Sequence, residues 1–212
     1  MRIALIHALA HSVAPINAVM AEQWPQATRM NLLDDSLSAD LAASGRGLDA
    51  AMHQRFLDLA DYAMRTGANG ILFTCSAFGP CIDAVKARYP DTPVLKPNEA
   101  MIAQAEALAE PVGLIASFAG TLQTMPDEFS ATTELHTQLV QDALEALNQG
   151  QVDRHDALVL EAAQQLVERG ARVIALAQFS MARAAVLLRQ QLTVPVLTTP
   201  DSAVAALKAA LV

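Results

Sequence analysis

Short apolar runs alternate along this chain with longer stretches whose apolar positions recur every three or four residues. The first run, residues 3–6 (Ile-Ala-Leu-Ile), is continuous and predicts a buried strand. Ser12 stands where an N-cap would, Pro15 suits a first helical turn, and the helix is expected to reach about residue 23. Residues 28–33 predict a second strand. Met52, Phe56, Leu59 and Ala63 share one helical face of segment 48–65, which ends at Gly67. A third strand is expected at 71–74, a helix from Pro80 to about 88, and a fourth, short strand at 93–95. The rhythm then returns, with a strand at 112–116, helices at roughly 135–148 and 156–169, a strand at 173–177, a helix at 181–190, a strand at 195–197 and a last helix at 202–211. Strands separated by helices predict α/β architecture with parallel sheets and right-handed crossovers.

The return is more than rhythm. Gly67-Ala-Asn-Gly-Ile71-Leu-Phe-Thr-Cys75 lines up with Gly170-Ala-Arg-Val-Ile174-Ala-Leu-Ala-Gln178 at an offset of 103. Pro93-Val94-Leu95 matches Pro195-Val196-Leu197 at 102, and Ala4-Leu5-Ile6 matches Gly113-Leu114-Ile115 at 109. Ordered anchors at nearly one offset predict two similar α/β halves.

Composition narrows the class. A hydrophobic fraction of 53% with 17% charged residues predicts a packed core, and an aromatic share of only 4% predicts close-packed helices on sheet. The net charge of −8 argues against nucleic acid or an anionic membrane as partner. Two Cys cannot build a disulfide framework and predict a reducing compartment. The opening apolar run stops at His7, with His11 close behind, so it does not read as a secretory signal. No stretch approaches the ~18 apolar residues of a membrane span. A soluble, cytoplasmic protein is expected.

Ligands of open parallel sheets bind beyond the carboxyl ends of the strands. With two equivalent halves, a cleft is expected where those ends face each other. Segment Thr74-Cys75-Ser76-Ala77-Phe78-Gly79-Pro80 ends one such strand. A thiol there, just ahead of a helix N-terminus, is expected to be acidified by the helix dipole, so Cys75 reads as a base or nucleophile. Thr74, Ser76 and the turn's N–H groups offer donors for a carboxylate or oxyanion. A buried structural thiol would explain the same residue, and Cys81 on the next helix reads as packing.

Other strand-end groups leave two readings open. His7 is either a cleft-facing group or a hydrogen-bonded spacer; with His11 it lacks a third ligand, so no metal site is expected. Asp34 could face the cleft, or Asp34-Asp35-Ser36 could cap a turn or helix. Lys96 could draw in an anion or be solvated. Ser117 and Thr121 follow the second half's first strand as His7 and Ser12 follow the first half's. Glu99 and Asp201 read as first-turn acids, His155-Asp156 as a helix start capped by Asp, and Arg183 as a cation opposing a helix dipole. Gly45-Arg-Gly47-Leu-Asp-Ala50 has part of a dinucleotide fingerprint but no preceding strand, and there is no Walker A or Gly-x-Ser-x-Gly motif.

Thr74-Cys75-Ser76 after an apolar strand, in a duplicated α/β chain of this length, resembles the aspartate/glutamate racemase superfamily. That group includes amino-acid and hydantoin racemases, maleate isomerase and arylmalonate decarboxylase. The resemblance covers essentially the whole chain, and Leu32-Leu33-Asp34-Asp35-Ser36-Leu37-Ser38, Leu95-Lys96-Pro97-Asn98-Glu99-Ala100 and Ala177-Gln178-Phe179-Ser180-Met181-Ala182-Arg183 look like one branch of it. It implies two pseudo-symmetric lobes, residues 1–97 with 200–212 and residues 98–199, the last helix closing onto the first lobe. It also implies a cofactor-independent enzyme for a small carboxylate, with a Cys from each lobe. Here the repeat puts Gln178 where the second Cys would stand.

A two-base racemase needs two titratable groups, and Gln supplies none near neutral pH. What remains is chemistry with one Cys: decarboxylation with protonation, cis–trans isomerisation through an adduct, a lyase reaction, or racemisation using another second group, with His7 and Asp34 as candidates. Arylmalonate decarboxylases also keep a single Cys, but in the other half. The resemblance implies that Thr74, Ser76, Ser117, Thr121, Gln178, Ser180 and Lys96 hold the substrate. An isomerase or carbon–carbon lyase using Cys75 is therefore expected. The alternative is a non-catalytic protein that binds a small carboxylate, and assembly into a homo-oligomer stays open.

Overall fold

In the computed structural model, which describes residues 1–212, the first apolar run forms β1 (Arg2–His7), buried in all but its first residue. A 3-10 turn leads into α1 (Val13–Gln23), then β2 (Thr28–Leu33), α2 (Ser36–Ser44), α3 (Ala50–Arg65), β3 (Gly70–Phe73), α4 (Gly79–Arg88) and β4 (Val94–Leu95). The second series runs α5 (Glu99–Ala107), β5 (Val112–Ala116), α6 (Ala119–Thr124), β6 (Leu135–Leu139), α7 (Gln141–Asn148), α8 (Val152–Glu168), β7 (Val173–Leu176), α9 (Ala185–Gln191), β8 (Val196–Thr198) and α10 (Thr199–Leu211).

The strands make two four-stranded sheets of identical order, β2-β1-β3-β4 and β6-β5-β7-β8. Every pairing is parallel. The chain divides into two compact units, Met1–Pro97 with Ala203–Val212, and Asn98–Ser202. Their registers correspond rung by rung: Ile6 lies opposite Phe73 in one sheet and Ile115 opposite Leu176 in the other. Cys75 and Gln178 each lie two residues past the last of these rungs.

In the first unit one face of the sheet packs Ala4, Ile6, Ile71 and Phe73 against α3 and α4. The Phe56 ring sits 5.3 Å from that of Phe73 and 4.9 Å from that of Phe78, which ties the segment after β3 to the core. The end of α10 belongs to this unit: a Cβ on Gly70 would meet Leu211 Cδ1 at 3.0 Å and Leu207 Cδ1 at 3.2 Å. In the second unit α8 packs Val159, Ala163 and Leu166 on Ile115, Ile174 and Leu176. Gly113 allows the close fit, because a Cβ there would meet Ile174, Ala171 and Leu166 side chains at 3.0–3.1 Å. No helix is long and apolar enough to cross a membrane.

Several local expectations are corrected. Residues 135–139, expected to begin a helix, form edge strand β6, and only 141–148 are helical. Leu135 and Leu139 flank the polar residues of a half-buried edge, and pairing with β5 outweighs the local pattern. Helix α8 starts four residues before 156, so His155 lies inside it and Asp156 is no cap. Ser12 precedes α1 but its side chain makes no capping bond. By contrast Asp49 does cap α3, accepting from the Met52 N–H at 2.9 Å. Helices α2 and α6 are additions to the expected pattern, and α5 opens at Glu99, as the reading of that residue as a first-turn acid implies.

Candidate functional site

β3 is buried throughout, and its pairing with β1 extends one residue further through the Thr74 N–H, which donates to the Ile6 carbonyl at 3.0 Å. Cys75 continues in extended conformation (φ −129°, ψ 121°) and leads into a 3-10 turn, Ser76–Phe78, ahead of α4. That turn separates the sulfur from the α4 N-terminus. Cys75 is half-buried beside His7, Ala8, Leu37, Phe56 and Phe73, in a crevice without room for a water molecule. Burial pushes its thiol pKa up, and the Ala77 N–H and Ser38 hydroxyl only partly offset this. This setting does not favour the acidification expected from the helix dipole: α4 begins four residues past Cys75, and the apolar surroundings disfavour the thiolate.

Behind Cys75 lies a chain of polar side chains. His7 is fully buried, with Nδ1 2.9 Å from Thr74 Oγ1 and Nε2 3.0 Å from Asn31 Oδ1. Asn31 Oδ1 also accepts from Asn17 Nδ2 at 2.8 Å, so it is an acceptor, Nε2 carries the ring proton, and Nδ1 accepts from the Thr74 hydroxyl. Burial lowers the His7 pKa, against the opposing bond to Asn31, so the ring is neutral near pH 7. Of the two readings for His7, the hydrogen-bonded spacer matches this geometry.

Asp34 is held away from titration near neutrality. Burial alone would raise its carboxyl, but hydrogen bonds from Ser36 and Arg55, together with the guanidinium charge, hold it below the usual range. Arg55 Nη2 lies 2.7 Å from Asp34 and its Nη1 2.6 Å from Asp40. The Asp34 N–H also donates to the His7 carbonyl at 3.0 Å. Lys96 Nζ is 2.8 Å from Asp83 on α4. Thus His7, Thr74 and Cys75 lie together, while Asp34 and Lys96 are engaged in ion pairs.

The second unit repeats the backbone with other chemistry. Gln178 is extended (φ −132°, ψ 143°) and opens a 3-10 turn, Phe179–Ala184, as Cys75 does. Its Oε1 accepts from the Ser117 N–H at 2.6 Å and the Ser117 hydroxyl at 3.0 Å. Ser117, Thr121 and Ser180 are buried. Arg183 pairs with Asp156 at 3.0 Å, which removes the dipole argument for it, and Asp156 also holds His155 Nδ1 at 2.7 Å. No group of three or more His, Cys, Asp or Glu is gathered to hold a metal.

Ser38, Arg55, Asn31 and Asn17 are contributors that the sequence alone does not single out. An Asn inside an apolar strand, and a Ser closing the segment after β2, are the signals it offers for them.

The Asp/Glu/hydantoin racemase family model matches residues 11–207. No curated protein matches the chain by sequence. Among solved structures, a glutamate racemase from Bacillus anthracis superposes with a TM-score of 0.73 at 12% identity, covering 98% of this chain and 80% of that one. An allantoin racemase from Klebsiella pneumoniae gives 0.72 at 19% identity, covering 99% and 86%. A mutant arylmalonate decarboxylase gives 0.70 at 17%, covering 99% and 93%. At these identities the likeness is one of fold.

Proposed function

Because the chain belongs to the Asp/Glu/hydantoin racemase family, we propose that it is a cofactor-independent enzyme acting at the carbon next to the carboxylate of a small acid, with Cys75 as its one thiol at the reacting atom. The observation that carries this reading is the setting of the sulfur: half-buried, with the Ser38 hydroxyl oxygen beside it and the Ala77 N–H directed at it. A thiol whose pKa is pushed up rests protonated. It is suited to deliver a proton to a carbanion or enediolate, as after loss of carbon dioxide or in an isomerisation. The S–H bond breaks, the proton goes to carbon, and the sulfur keeps the electron pair. The Ala77 N–H then stabilises the thiolate until solvent reprotonates it.

In the first unit the substrate carboxylate is assigned to Ser76 and the turn it opens, whereas in the second unit the Ser117 donors are already taken by Gln178. Thr74 gives its proton to His7, so its role is to fix the turn while Ser76 donates. Asp34 and Lys96, engaged with Arg55 and Asp83, are read as structural.

A second reading, a non-catalytic binder of a small carboxylate, is favoured by Gln178, an untitratable group at the position equivalent to Cys75. One experiment separates the two. A panel of small mono- and dicarboxylates and malonates is incubated in deuterated water and the α-position followed by NMR. Deuterium entering from one face, lost in Cys75→Ala, supports the enzyme. Ligand-induced thermal stabilisation without exchange or turnover supports the binder.

A further inference from the structure

Helix α2 rests over Cys75 on one fully packed side chain. Leu37 is 1% exposed and lines the crevice beside the sulfur. Ser38 follows it, reaching Cys75 and donating to the Ala8 carbonyl at 3.0 Å. Leu41 packs only in part, and most of the remaining positions are exposed. Nine residues are too few for a helix to hold itself in water. What fixes α2 is therefore its neighbours, chiefly one side chain of α3.

Arg55 grips the start and middle of α2 at once. Its Nη2 donates to Asp34 at 2.7 Å and to Ser36 Oγ at 2.6 Å, and its Nη1 to Asp40 at 2.6 Å. Behind the helix, Gly45 (φ 59°) and Gly47 (φ 65°) both take the left-handed backbone in open space. An open groove lined by Asp40, Ser44, Arg46, Met52 and Arg55 separates the helix end from α3. One well-buried residue, a polar clasp and two glycines in a row of exposed positions describe a segment that opens locally before its unit does.

We propose that α2 is a hinged cover over the Cys75 sulfur and that Arg55 is its latch, which makes Arg55 and Ser38 positioning residues for chemistry at the thiol. The meaning of the proposal rests on Cys75 as the reacting group, but its test does not need turnover. With α2 down, the crevice admits no water and Ser38 stands against the sulfur. With α2 raised, both conditions end together.

The test is site-resolved alkylation with iodoacetamide, read by mass spectrometry, with the fully buried Cys81 as internal reference. Arg55→Ala should speed labelling of Cys75 roughly three- to tenfold, the range expected for losing a partly exposed ion-pair network. Cys81 should stay unlabelled, and Arg55→Lys, which keeps a charge but not the fork, should fall between. An unchanged Cys75 rate overturns the latch. Labelling of both thiols in step overturns a local cover, because the whole unit would then be loosening. Hydrogen exchange on the unaltered protein gives a second check should the variant not fold. Amides of residues 36–44 should exchange at least about tenfold faster than those of 50–65, and equal protection refutes the hinge. If Cys75→Ala leaves turnover intact, the assigned function fails while these alkylation results stand.

Discussion

Ser117 gives both its backbone N–H and its hydroxyl to a single atom, the side-chain carbonyl oxygen of Gln178, at 2.6 and 3.0 Å. A backbone N–H can only donate, so the facing atom must be the oxygen, and the amide NH₂ is turned away as a donor. Gln178 thus holds two donors that Ser117 would otherwise offer to an anion.

Substitution at Gln178 should follow acceptor chemistry. Gln178→Glu keeps an oxygen in place and should cost little at pH 7. Gln178→Ala should lose about 0.5–1.5 kcal/mol, a typical net hydrogen-bond contribution. Urea unfolding midpoints decide the order. Equal damage from both variants would mean the contact is not formed in solution.

The two thiols should separate by function. Cys75→Ala should abolish turnover, and Cys81→Ala should not. Burial pushes the Cys81 pKa from 9.0 up to about 11. A folded pKa raised above the unfolded value gives stability that is whole below the unfolded pKa and is lost as pH rises through the folded one. Denaturation in reducing buffer should therefore show stability falling from about pH 9 towards 11, less steeply in Cys81→Ala.

His7 should remain neutral where an exposed His titrates. Its pKa is lowered by burial, so the stability it contributes is present above the ordinary histidine value of 6.5 and is lost as pH falls through the folded pKa. Nitrogen-15 NMR should report the Nε2–H tautomer at pH 7, and the ring should show no half-titration at 6.5. A midpoint at or above that pH would contradict the assigned network.

Gly113→Val should destabilise the second unit by about 1–3 kcal/mol through overpacking. Side chains of Ile174, Ala171 and Leu166 stand 3.0–3.1 Å from where the new Cβ would lie, with little room to shift. Thermal denaturation of the variant tests this, and an unchanged midpoint would show that the α8 contact relaxes freely.

Central strands are legible in the sequence because continuous burial leaves a continuous apolar run: β5 matches 112–116 to the residue. So is the repeat, since the Ile6–Phe73 and Ile115–Leu176 rungs put Cys75 and Gln178 at equivalent places. Edge strand β6 is not, because half its surface is polar and its stability comes from β5, which lies 23 residues earlier (Val112 against Leu135). Helix α2 is hidden for a related reason: its support is Arg55, 19 residues beyond Ser36. The place of the Cys75 thiol can be read from the chain, but its acidity cannot, because that depends on Leu37, Phe56 and Phe73 around it rather than on its neighbours in sequence.

The second unit is one unbroken length of chain, whereas the first is completed only by Ala203–Val212. Completion of the first unit therefore waits on a segment that follows the second. Residues 98–202 can finish folding while β3 still lacks Leu207 and Leu211, which seal its start at Gly70. Until then the strand that leads to Cys75 has one flank bare, and a chain truncated before Ala203 should keep a closed second unit joined to a first unit that a protease can still enter.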